Sequence, residues 1–212
     1  MLHPSIGLKF AVKDGEPLAA FHARDFANTI NAMSNTLTER YSTPAIVFHW
    51  LLAVMIVVSF CVGLYMADLP LSPQRLKLFN WHKWAGVSIL ALSALRLLWR
   101  LTHRPPADLA MSAWQRQAAH VTHWGMYALF FAVPLVGWAY SSAAGFPIVL
   151  YGVLPLPDFV SPDKALSESL KAWHERLAWL LALLVVMHVA AALKHHFIDR
   201  DGLLLRMRPG RR

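Results

Sequence analysis

The sequence predicts an all-α protein: an integral membrane four-helix bundle with a cytoplasmic N-terminal extension. Three observations carry this. Of 212 residues, 57% are hydrophobic and only 15% charged, where a soluble domain has about 25% charged. Four apolar stretches are each long enough to cross a hydrocarbon core about 30 Å thick. The last of them, from Leu170 to His196, places His174 and His188 fourteen residues apart. At about 100° and 1.5 Å per residue, both imidazoles share one helix face, about 21 Å apart along the axis.

The first 38 residues do not fit that pattern. Pro4, Asp14, Gly15 and Pro17 interrupt them, and no basic segment leads into an apolar one, so no signal peptide is expected. The stretch reads as an extension, partly helical around Leu18 to Ile30, or as an artefact of start-site choice, with translation beginning at Met33. Residues 39–212 form the membrane domain. Its first span is expected from Ala45 to Met66, uncharged and carrying His49, with Tyr41 and Trp50 as interfacial anchors. Residues 67–80 carry two prolines and read as a loop. The second span starts near Trp81, with His82 at its head and Arg96 deep inside. Residues 102–119 are polar and broken at Arg104-Pro105-Pro106. The third span, Val121 to Ser142, follows His120 and contains His123, Pro134 and Gly137, which membrane helices tolerate. Residues 143–172 read as a long loop lying in the interface over the bundle. The tail beyond the fourth span is basic.

Charge sets the expected orientation. Ten Lys and Arg lie near the membrane on the side of the termini and the 102–119 loop, against six on the other, where five acids accompany them. The positive-inside rule then places both termini in the cytoplasm of a bacterial inner membrane. The net charge of +8 reads as this basic fringe rather than a nucleic-acid face, and nucleic acid is not an expected partner. The single cysteine, Cys61, excludes an internal disulfide, a four-cysteine iron–sulfur site and covalent CxxCH haem attachment. No P-loop, Rossmann glycine motif, nucleophile elbow or HExxH is present.

Depth sorts the histidines. Helices two and four run inward and open with Trp81-His82 and Trp173-His174, so His82 and His174 share an outer layer. His49 opens the outward-running first helix, and His188 lies a further 21 Å or so inward, so these two share an inner layer. A histidine in lipid is costly and needs a partner. Two imidazoles facing across a bundle without carboxylates suit the two axial positions of haem iron better than a four-ligand zinc site. Two strong protein ligands favour electron transfer over oxygen binding. Arg96, fourteen residues after His82, lies at the depth of the inner pair. It either meets a haem propionate or snorkels to the headgroups. Lys83 has a weaker claim on an outer propionate. His120 and His123 read as a wet interfacial pair, with proton uptake for a quinone or support of the inner haem as alternatives; His195 and His196 read the same way.

The stretches FHWLLA around His49, NWHKWAGVSILALSALRLLWRL around His82, HVTHWGMYALFFAVPLVG in the third span and KAWHERLAWLLALLVVMHVAAALKHHF in the fourth make the chain resemble the bacterial cytochrome b561 family. The resemblance runs from Tyr41 to Pro209. It implies His49, His82, His174 and His188 as axial ligands of two haem b groups, with Arg96 beside them. It also implies electron transfer to or from ubiquinone, with superoxide oxidation at the outer face as a further activity. Expected partners are the lipid bilayer, a quinone, an electron donor of unassigned identity and, as an option, a second copy of the chain. Two rivals stand beside this reading. One is the membrane anchor and electron relay of a larger dehydrogenase or hydrogenase. The other is a non-redox metal-binding membrane protein.

Overall fold

A computed structural model describes residues 12–13, 16–17, 26, 40–109 and 111–209. The chain divides into two compact units, residues 1–40 and 41–212. In the first, β1 (Val12–Lys13) pairs antiparallel with β2 (Glu16–Pro17), Val12 opposite Pro17. Of the stretch expected to be partly helical, Phe26 has helical backbone; its other residues, and Met33, lie outside the described residues.

The second unit is built from four helices: α1 (Thr43–Ala67), α2 (Pro73–Thr102), α3 (Ala113–Ala143) and α4 (Lys164–Lys194). All four are long and apolar enough to cross a membrane. Chain neighbours pack together, α1 on α2, α2 on α3 and α3 on α4. Val47, Leu51, Val54, Val57 and Val58 of α1 all face outward. A helix apolar on its outer side as well as its inner side belongs in lipid, where its backbone bonds are satisfied internally.

The helices start earlier than their apolar runs suggest. α2 begins at Pro73 rather than near Trp81, so the first loop is residues 68–72. Ser72 caps it, its Oγ accepting from Arg75 N at 3.2 Å, and Pro73 takes the first position, where a missing N–H costs nothing. α3 begins at Ala113, eight residues before the expected Val121. Gln115 Oε1 accepts from Ser112 N at 3.1 Å and Ser112 Oγ at 2.8 Å, closing the start of a polar helical extension. α4 begins at Lys164 under Asp163, whose Oδ1 accepts from Leu166 N at 2.9 Å. The loop expected over 143–172 is therefore shorter. It contains a small hairpin, β3 (Val149–Leu150) against β4 (Leu154–Pro155).

That hairpin is tied to the bundle. Trp84 Nε1 donates to Val149 O at 2.7 Å, Ser88 Oγ lies 2.6 Å from the Tyr151 hydroxyl, and Trp138 Nε1 donates to Pro157 O at 3.2 Å. At the opposite end the tail is structured too. A π-helical turn, His195–Asp199, continues α4, and a 3₁₀ turn, Leu203–Met207, follows. Arg206 is only 5% exposed, and its Nη1 donates to Ala107 O at 2.6 Å. Trp50 Nε1 donates to Met207 O at 2.7 Å. The tail thereby straps the α2–α3 loop to the head of α1.

The core is a plug at mid-height: Leu52 and Ile56 of α1, Ile89 of α2, Met126, Tyr127, Leu129 and Phe130 of α3, and Leu181 of α4. Ile56 is seven residues after His49, Ile89 seven after His82, and Leu181 seven from both His174 and His188. Seven residues rise about 10 Å, so this apolar layer separates two histidine tiers.

Candidate haem-binding site

The outer tier joins α2 to α4. The rings of His82 and His174 stand 6.0 Å apart, centre to centre, with planes at 85°. His82 Nδ1 lies 3.1 Å from Ser59 O and 3.2 Å from Ser59 Oγ, and His174 Nδ1 lies 3.0 Å from Val133 O. A carbonyl only accepts, so each Nδ1 carries the proton and donates. In the neutral imidazole the lone pair is then on Nε2, the tautomer a metal needs, with the ring oriented by the hydrogen bond on its far side.

The inner tier joins α1 to α4. His49 and His188 stand 6.1 Å apart with planes at 65°. Neither imidazole has a hydrogen-bond partner among the described residues, and His49 Nδ1 is a buried orphan. His123 of α3 also reaches this tier, 5.4 Å from His188. The two histidines at the head of the third span thus part company: His123 faces inward, while His120 is exposed, 3.9 Å from Asp108. Their spacing of three residues gave no sign of this, because which face meets α4 depends on helix packing. Arg96 is half-buried, its guanidinium 5.7 Å from the centre of the Tyr127 ring. Tyr127 stands one turn after His123 on α3, which puts Arg96 beside the inner tier. Lys83 Nζ instead reaches Phe146 O and Pro147 O, each at 3.4 Å.

His195 and His196 also differ. His196 is exposed. The His195 side chain is 15% exposed, with Nδ1 2.5 Å from Asp201 Oδ2 and 3.2 Å from Asp199 Oδ2. Lys194 Nζ holds Asp199 at 2.6 Å, and Leu203 N donates to Asp201 Oδ1 at 2.9 Å. With both carboxylates so engaged, the group is an ion-pair lock on the turn after α4.

Two imidazoles on opposite sides of one metal have ring centres about 6.2 Å apart, from a metal–nitrogen bond of about 2 Å and about 1.1 Å more to each ring centre. Both tiers meet that spacing, and the outer one also has the donor tautomer. The residues present fit a bis-imidazole iron group at each level.

The fold places the chain among membrane-embedded helix bundles, and the paired imidazoles are of a kind that can hold haem. Residues 40–210 match the family model described as prokaryotic cytochrome b561, and the chain belongs to that family. It is similar to cytochrome b561 homolog 2 of Escherichia coli (strain K12), 38% identical over 82% of this chain and 95% of that one. It is also similar to the probable superoxide oxidase CybB of Yersinia pestis, 32% identical over 82% and 98% of the two chains. More distantly it resembles the probable Ni/Fe-hydrogenase B-type cytochrome subunit of Azotobacter vinelandii, 23% identical over 79% and 85%. Family and fold make it a bacterial membrane protein of electron transfer by b-type haem.

Proposed function

We propose that the chain carries electrons between the two faces of the bacterial inner membrane, using two haem b groups held by His82 with His174 and by His49 with His188. The observation that carries this is the pair of ring separations, 6.0 and 6.1 Å, one on each side of the apolar plug. Haem iron, when bound, supplies one-electron chemistry. The chain's own residues do the rest. The two imidazoles of each site would hold the iron and would keep oxygen and substrates off it. The plug of Leu52, Ile56, Ile89 and Leu181 keeps water out between the tiers. Arg96 supplies a positive charge at the inner tier that would balance an anionic carboxylate of the cofactor.

The acceptor or donor on the membrane side is the ubiquinone pool. Similarity to a probable superoxide oxidase supports superoxide as the electron source: two superoxide anions each give up one electron and leave as dioxygen, and the quinone takes two electrons and two protons. Both termini are cytoplasmic, so the strap lies on the inner side. A reduced-minus-oxidised spectrum with a haem-to-protein ratio tests the reading. Two distinct b-type components at two haems per chain are expected; a colourless protein from haem-replete cells would sink it. The relay reading draws on the hydrogenase cytochrome relative, and a stoichiometric iron–sulfur partner in native purification would decide for it.

A further inference from the structure

We infer that Ser59–Gly63 of α1 and Val133–Gly137 of α3 are one positioning device used twice, in which a glycine opens the carbonyl four residues before it to an imidazole Nδ1 and thereby sets the ring plane of an outer-tier histidine. The inference rests on the haem ligation proposed above for His82 and His174.

A helix carbonyl that accepts from the N–H four residues on keeps a second lone pair. Reaching it from the side is normally blocked. Each Cα–Cβ bond tilts toward the helix N-terminus, so the side chain at position i+4 covers the turn that holds the carbonyl of residue i. At both places where an outer imidazole meets a helix carbonyl, the residue at i+4 is glycine. Ser59 O is met by His82, and Gly63 follows four residues later; Val133 O is met by His174, and Gly137 follows four residues later.

The rings occupy the space a side chain would need. A Cβ on Gly63 would stand 3.3 Å from His82 Cε1. A Cβ on Gly137 would stand 2.9 Å from both Cε1 and Nδ1 of His174, closer than real contacts come. The other helix glycines are different. Gly86 would meet only Pro134 Cβ at 3.9 Å, and Gly125 would meet the flexible end of Leu184 at 3.2 Å. The device also repeats in topology, with α1 serving the histidine of α2 and α3 serving that of α4. Each ring is pinned at its own carbonyl, and the two planes stand crossed at 85°. Among the described residues the inner tier has nothing equivalent: His49 Nδ1 has no partner there, and the inner planes meet at 65°. Gly63 and Gly137 are therefore positioning residues that act through His82 and His174.

Low-temperature electron paramagnetic resonance of the purified holoprotein tests this, because the low-spin ferric signal reports the angle between axial ligand planes. His174→Ala first identifies the outer signal by its loss. Gly63→Ala is expected to shift that signal and leave the inner one in place. Gly137→Ala, with the tighter contact, is expected to shift it further or to lower the haem-to-protein ratio toward half. Gly86→Ala should leave both signals unchanged. Ser59→Ala should do the same, since it removes the hydroxyl at 3.2 Å but keeps the carbonyl at 3.1 Å. Wild-type signals and full haem content in Gly63→Ala and Gly137→Ala, or shifts of the inner signal instead, would overturn the inference while leaving the ligation intact. If His174→Ala retains both haems, the ligation fails whatever the glycine variants do.

Discussion

An imidazole inside a membrane has two nitrogens to satisfy, and the protein treats its four paired histidines unequally. His82 and His174 each commit Nδ1 to a backbone carbonyl; His49 and His188 commit neither nitrogen to a described residue. The inner pair is thus the one whose polarity the fold leaves unbalanced in lipid, where an unpartnered group is costly. Replacing His188 with alanine should lower haem content to about half, because one of the two proposed bis-imidazole sites loses a ligand. Pyridine-haemochrome titration against protein measures it, and full retention would contradict the pairing. His123 lies nearer His188 than His49 does, 5.4 against 6.1 Å, yet its ring stands inside the spacing of two imidazoles on opposite sides of one metal. His123→Ala should accordingly keep two haems per chain and His49→Ala should not; the reverse result would reassign the inner ligand.

At the scale of elements, short connections are fastened by single hydrogen bonds from large side chains. The hairpin between α3 and α4 turns through Tyr151 and Gly152, both with positive φ, 53° and 76°. A type I′ turn prefers Asn or Gly at its first central position, and a tyrosine there is strained. The compensation is visible: its hydroxyl meets Ser88 at 2.6 Å, and its ring stands 5.6 Å from that of Trp84. Trp84→Phe removes the donor to Val149 O and should faster expose residues 146–157 to hydrogen exchange, leaving the haem spectrum unchanged. The tail strap follows the same logic. Arg206→Ala should cost about 1–3 kcal/mol, the penalty of stranding the partners of a buried charged donor, seen as a lower melting temperature in detergent. An unchanged melting curve would mean the strap adds no stability.

Over the whole molecule, two polar tiers flank one apolar plug, and in the proposed reading the cofactor helps to hold them. Protein made under haem starvation should melt at lower temperature than holoprotein, since whatever binds only the folded state stabilises it. Equal melting temperatures would show that the helices pack independently of haem. Four spans, their order and the two histidine levels were legible in the sequence, because lipid demands long apolar runs and the helical repeat fixes which residues share a face and a depth. Helix ends were less legible: α2 and α3 start in polar sequence, where capping by Ser72 and Ser112 outweighs hydropathy. The partition of His120 from His123, the strap made by Arg206, and the carbonyls of Ser59 and Val133 were not legible at all. Periodicity within one helix carries no information about the rotation of its neighbour, and a backbone carbonyl has no letter of its own. The amino-acid order determined that two tiers of nitrogen donors exist. Tertiary packing alone decided which nitrogen the two outer rings present, because that depends on a hydrogen bond made to a different helix.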